Sequence, residues 1–147
     1  MKATEDLISA IKKEEGFRSL AYRDEADVWT VGYGTTEGIN QNDKMDEPNA
    51  NMRLRAFVYK IEVALSMNLP HNCKPHEFDA LVSLAYNVGI GAVLNSTLMK
   101  KYKAGKKASA TAQFARWNKV TVGGRKVVSR GLASRRTNEA IMFAGDD

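Results

Sequence analysis

The sequence predicts an α+β fold, mostly helical, with a small antiparallel sheet near the N-terminus and a larger helical lobe. Three observations predict it. The opening residues place Leu7, Ile8 and Ile11 at helical spacing. The texture then changes over Phe17 to Ile39, where Trp29-Thr30-Val31-Gly32-Tyr33-Gly34 alternates large apolar with small residues. From Pro48 onward helical patterns return and account for most of the chain. One domain over residues 1–147 is expected, with a sheet lobe at about 17–45 and a helical lobe at about 46–147 that also takes in the N-terminal helix.

Each element has a local reason. Thr4 is a suitable N-cap for a helix running to Glu15, and Gly16 supplies its C-cap. Asp24-Glu25-Ala26-Asp27 has turn chemistry between two strand-like runs. A long helix is expected from near Pro48, which suits a first turn, to about Met67, and Pro70 to Pro75 breaks it. Glu77 to Asn87 follows as a helix that buries Phe78, Leu81, Val82, Leu84 and Ala85. Gly89 and Gly91 then read as a tight connection. Short helices at about Ser96–Ala104 and Ser109–Trp117 precede Val120 to Val128, where Gly123-Gly124 between β-branched runs predicts a hairpin. Gly131 to Phe143 closes the chain as a helix.

Composition narrows the class. The 147 residues are 44% hydrophobic and 27% charged, which fits a globular domain and not a disordered tail, collagen or a coiled coil. A single cysteine, Cys73, cannot close an intramolecular disulfide. No run reaches the roughly 18 apolar residues of a membrane span, and the charged N-terminal stretch lacks the apolar core of a signal peptide. A soluble protein made in a reducing compartment, without an export signal of its own, is the expectation. The net charge of +5 and a pI near 9.4 point to polyanionic partners, either nucleic acid or a bacterial envelope.

Glu15 and Asp24 are the most informative pair. Taking about 100° per residue, Glu15 lies roughly 30° from the Leu7/Ile8/Ile11 stripe and Glu14 roughly 70° from it. Glu15 therefore turns toward the buried side, where its pKa should rise, whereas Asp24 in a polar turn should stay ionised. Two carboxyls pushed apart in this way suit acid/base chemistry on a glycosidic bond. Spacing alone leaves the plainer alternative open, a helix-terminal glutamate and a turn aspartate. His71, Cys73 and His76 lie within six residues, but a structural zinc site wants four ligands and no second cluster exists, so no metal is expected. Gly32-Tyr33-Gly34 and Gly89-Ile90-Gly91 lack the context of a nucleotide loop and read as turn glycines. Lys100, Lys101, Lys103, Lys106, Lys107, Arg125, Lys126, Arg130, Arg135 and Arg136 concentrate positive charge in the last third, as a solvated face or a polyanion-attracting one. The closing helix, basic and partly apolar, reads as core packing in preference to a membrane-active segment.

The spacing extends beyond the pair. Glu15-Gly16-Phe17-Arg18, Ala21-Tyr22-Arg23-Asp24 and the Trp29 to Gly34 strand set a glutamate, an aspartate and Thr30 in an order that resembles the catalytic signature of phage-type lysozymes, endolysins of glycoside hydrolase family 24. Phe78 to Gly89 is similar to that family's second-lobe helix and turn. Arg116-Trp117-Asn118-Lys119, Gly131-Leu132 and Arg135-Arg136 ahead of Glu139 form a third block. The segment Gln41 to Met67 matches in length and character only, and Val120 to Arg130 is longer and more strand-like than the family pattern.

The resemblance implies a lysozyme-like fold and a muramidase. It would hydrolyse the β-1,4 bond between N-acetylmuramic acid and N-acetylglucosamine in peptidoglycan and lyse the host cell at phage release. Glu15 would be the proton donor, Asp24 would activate a water or stabilise positive charge, and Thr30 would orient that water. Tyr86 and Ser96 are candidate glycan contacts, and Arg135, with Arg136 as the other choice, would face Glu15. No cofactor is implied. The expected partners are peptidoglycan strands and the anionic envelope, with a holin opening the way from the cytoplasm to the periplasm. Nucleic acid is not expected, nor is an oligomer. The competing readings are a lytic transglycosylase acting on the same bond and a non-enzymatic basic module that binds polyanions.

Overall fold

The computed structural model describes residues 1–145. In chain order it runs α1 (Glu5–Glu15), β1 (Arg18–Arg23), β2 (Trp29–Gly32), α2 (Glu47–Ser66), α3 (Pro75–Val88), α4 (Ile90–Leu94), α5 (Thr97–Lys103), α6 (Lys107–Gln113), a 3₁₀ turn (Phe114–Arg116), β3 (Lys119–Val122), β4 (Arg125–Val128) and α7 (Arg130–Ala144). β1 pairs with β2 and β3 with β4, both antiparallel. This is the α+β class expected from the sequence.

The chain forms two compact units: Glu5–Val58, and Met1–Thr4 together with Tyr59–Asp147. The boundary falls inside α2. It differs from the sequence-based division, which placed the N-terminal helix with the helical lobe. The reason is visible in the first unit, where Lys12 lies 5.5 Å over the Tyr33 ring and Arg55 grips both oxygens of Glu5 at 3.0 and 3.1 Å. The core of this unit is Leu7, Ile8, Ile11, Val31, Tyr33, Ala50, Leu54 and Val58. α2 starts one residue before Pro48, and Asp46 caps it by accepting the Asn49 N–H at 2.9 Å.

In the second unit, α3 packs along α7, and its apolar face is fully buried, including Phe78, Leu81, Val82 and Leu84. Phe114 and Phe143 meet with ring centroids 5.3 Å apart. Thr4 donates its N–H and its hydroxyl to the two oxygens of Asp79, at 3.0 and 2.6 Å. Glu77 on α3 is buried and gathers Lys107 Nζ at 2.8 Å, the Tyr102 hydroxyl at 2.7 Å and the Lys74 N–H at 2.9 Å. Burial raises its pKa, but these donors outweigh that and hold it below the usual carboxylate range.

Two expectations are corrected. Gly89 to Gly91 is not a bare connection, because Ile90–Leu94 forms the short α4 with Val93 fully buried. Gly89, at φ +104°, lets α3 end and α4 begin without a break. Arg136 does not belong to the solvated basic face, since it is 1% exposed. Its Nε lies 2.7 Å from Glu139 Oε1, its guanidinium donates to Glu139 Oε2 at 3.1 Å and to Asn87 Oδ1 at 2.8 Å, and Ser83 donates to the same carboxylate. Arg136→Met strands a buried carboxylate and should lower unfolding stability by about 3–5 kcal/mol in urea titrations. Adding Glu139→Met should restore most of that loss, because the desolvation of both charges is then removed together.

The predicted Gly-Gly hairpin is present. Gly123 and Gly124 take φ +56° and +79°, the conformation that a tight two-residue turn requires. Its valines are largely open: Val122 is 57% exposed and Val128 is 60% exposed.

Candidate active site

Glu15, Asp24 and Thr30 all lie in the first unit. Asp24 stands at the head of the turn between β1 and β2. Its Oδ1 accepts the N–H groups of Ala26 and Val28, each at 2.9 Å, and its own N–H donates to the Val28 carbonyl at 3.0 Å. An aspartate suits this position because its short side chain reaches backbone donors two and four residues ahead. Oδ2 makes no hydrogen bond among the described residues and remains available for chemistry. Thr30 on β2 is 2% exposed, and its hydroxyl donates to the Val28 carbonyl at 2.8 Å. The backbone of Val28 is thus a strut, with its N–H holding Asp24 and its C=O holding Thr30. Because the Thr30 hydroxyl proton is already committed, the oxygen can only accept from a third group.

Glu15 is the last residue of α1. It is half-buried where Glu14 is exposed, as the helical phase requires. Gly16 follows at φ +69°, returning its N–H to the Lys12 carbonyl at 2.9 Å. Gly34 lies directly against the Glu15 carboxyl: a β-carbon on it would come within 2.8 Å of Oε2 and 3.0 Å of Cδ. Gly34 also has φ +77°. Gly34→Ala should therefore cost about 1–2 kcal/mol of stability through the left-handed backbone. It should cost far more in activity, about 100-fold in kcat, because the flexible group that must yield is the carboxyl itself. Paired denaturation and peptidoglycan-clearing assays check both.

Tyr22 is electrostatically coupled to both carboxyls. It pairs across the sheet with Thr30, and cross-strand partners present their side chains on one face. Asp24 follows two positions later, the spacing that returns a side chain to that face. Burial first, and then the charge of Glu15, raises the Tyr22 pKa; Arg18 opposes this, and Asp24 adds to it. Both carboxylates therefore lie within electrostatic range of one phenol. Arg23 and Trp29, the next pair, face the other way and stack at 4.9 Å. The sequence gives Tyr22 no role of its own and presents Gly34 only as a turn glycine. The period-two step from Tyr22 to Asp24 was a readable signal for the first, whereas Gly34 needed the strand register. A groove of the same unit, lined in part by Ser19, Leu20, Lys44, Asp46 and Arg53, shares no residue with this set.

The remaining candidates lie in the second unit. Tyr86 is half-buried on α3. Ser96 caps α5, donating to the Val93 carbonyl at 2.6 Å and accepting the Met99 N–H at 3.0 Å. Arg136 is taken by Glu139, as described above. His76 donates Nδ1–H to the Met142 carbonyl at 2.9 Å, and burial raises the Cys73 thiol pKa. Among the described residues, no cluster of three or more His, Cys, Asp and Glu side chains is placed to hold a metal.

The phage lysozyme family model matches residues 12–139. This chain belongs to the phage lysozyme family. Membership makes it a glycoside hydrolase, an endolysin directed at peptidoglycan. An endolysin of Acyrthosiphon pisum secondary endosymbiont phage 1 is 34% identical over 143 residues, covering 97% of this chain and 98% of the relative. The endolysin of Bacillus phage PZA is 36% identical over 97% of this chain, which spans only 55% of that relative's length. Among solved structures, the endolysin from Escherichia coli O157:H7 phage FAHEc1 superposes with a TM-score of 0.86 at 39% identity, covering 97% of this chain and 93% of the other. The muramidase domain of SpmX from Asticaccaulis excentricus gives 0.86 at 26% identity, with 98% of each covered. The lysozyme-like fold expected from the sequence is the fold observed.

Proposed function

We propose that the chain is a muramidase that hydrolyses the β-1,4 bond between N-acetylmuramic acid and N-acetylglucosamine. Glu15 is its general acid, and Asp24 and Thr30 are its water-handling pair. The observation that carries this reading is the Val28 strut. It leaves one Asp24 oxygen and one Thr30 lone pair open, so a water donating to both would turn its own lone pair outward as a nucleophile. Glu15 protonates the departing glycosidic oxygen while that water attacks the anomeric carbon from the opposite face. One structural neighbour is a muramidase domain, which favours the same bond. Mass spectrometry of the digest tests it: reducing N-acetylmuramic acid ends are expected, and 1,6-anhydro ends would make the protein a lytic transglycosylase. A basic module without activity is the remaining alternative, and release of any new glycan ends excludes it.

Arg135 is proposed as the guanidinium that tunes Glu15, since Arg136 is committed to Glu139. A double-mutant cycle with Arg135→Ala and Glu15→Gln should show coupling of about 1 kcal/mol, and strict additivity would remove the pairing. Tyr86 and Ser96 are the proposed glycan contacts, and Ser96 also commits its proton and one lone pair to the α5 cap. The anionic envelope as the attractive surface, action in the periplasm after a holin opens the inner membrane, and a monomeric state complete the proposal. Among the described residues no helix is long and apolar enough to cross a membrane.

A further inference from the structure

The catalytic proposal leaves one polar group of the first unit without a task. The Tyr22 hydroxyl makes no hydrogen bond among the described residues, although the side chain is half-buried. Most partly buried phenols find a partner, so an open one beside two carboxyls calls for an explanation. Its ring is held in place. The Arg18 guanidinium lies 4.1 Å from the ring centroid, and Thr30 stands opposite on the neighbouring strand. The pairing register shifts between Arg18 and Tyr22, the two residues that meet in this stack. Burial and the Glu15 carboxylate both disfavour the phenolate, so the group stays protonated across any pH at which a lysozyme works. It is a fixed donor on a supported ring.

We propose that Tyr22 is a glycan-contacting residue whose phenol O–H, on the sheet face it shares with Thr30 and two positions from Asp24, donates a hydrogen bond to the sugar held at the scissile bond. Donation to the sugar is favoured over a purely internal role because the hydroxyl has no acceptor within the described residues, whereas saccharide oxygens supply one. Arg18 acts through the ring: by stacking on it, the guanidinium limits rotation and fixes where the hydroxyl points. The inference rests on the reading of Glu15, Asp24 and Thr30 as the reacting set.

The test uses Tyr22→Phe, which removes one oxygen and keeps the ring. Binding of a soluble peptidoglycan tetrasaccharide is measured by calorimetry in the Glu15→Gln protein with and without Tyr22→Phe, alongside kcat/KM in the otherwise native chain. Both affinity and kcat/KM should fall by about tenfold, with the two limbs of the pH–rate profile unmoved and the melting temperature retained. Unchanged affinity and unchanged kcat/KM overturn the proposal. So does a displaced pH profile at constant affinity, which would make the phenol a tuner of the carboxyls and not a sugar contact. A fall in activity matched by a fall in melting temperature also overturns it. Lytic activity retained by Glu15→Gln would sink the acid assignment instead, and the effect of Tyr22→Phe on kcat/KM would still be readable in that case.

Discussion

Glu15→Gln is expected to abolish the clearing of peptidoglycan while leaving the fold intact. The amide keeps the shape of the side chain at the end of α1 but carries no proton acidic enough for a departing glycosidic oxygen. Loss of a general acid removes about 10²–10⁴-fold in rate. Glu14→Gln is the matched control. Glu14 is exposed on the adjacent helical position, so its substitution should change stability by less than about 0.5 kcal/mol and leave activity in place. Turbidity clearing by Glu15→Gln at near-native rates would refute the acid assignment.

Asp24→Asn should be nearly as damaging, again without unfolding. The asparagine oxygen can still accept the Ala26 and Val28 N–H groups, so the turn survives. What disappears is the charge on the open oxygen, and with it the ability to activate water or stabilise an oxocarbenium-like transition state; a loss of about 10²–10⁴-fold follows. Asp24→Ala is less informative because it also removes the acceptor that shapes the turn. Activity in Asp24→Cys together with an inactive Asp24→Ala would mark a nucleophile and a retaining mechanism. Proton NMR of the first-formed anomer decides the matter directly: an α product is expected from attack by water, and a β product would overturn it.

Much of the fold was legible because its signals are local. The Gly123-Gly124 turn, the proline break before α3 and the Asp24 turn each declare themselves within a few residues. So did the phase of Glu15 on α1, where two neighbouring glutamates differ in exposure as the helical angle requires. What was not legible depended on partners distant in sequence. Arg136 looked like one more surface cation, and only its approach to Glu139, Asn87 and Ser83 makes it a buried residue. α4 follows Gly89 and contains Gly91, and tertiary burial of Val93 outweighed the poor helix propensity of that glycine. The N-terminal helix belongs to the unit Glu5–Val58, where Arg55 on α2 and Tyr33 after β2 contact it, and no window on α1 could reveal those partners. Gly34 was noticed as a turn glycine; that its missing side chain makes room for a carboxyl required the third dimension.

The Val28 strut has a consequence for how this site tolerates change. Both contacts are made by main chain, and the Val28 side chain is 42% exposed. Sequence drift at position 28 is therefore nearly free: polar, charged or small residues present the same amide and carbonyl to Asp24 and Thr30. The exception is proline. It has no N–H to offer, so at this solvent-facing position it would remove one of the two backbone donors on Asp24 Oδ1 and leave only that of Ala26. The alignment of the pair is thus hidden from selection on side chains and entrusted to the two peptide groups that flank one α-carbon.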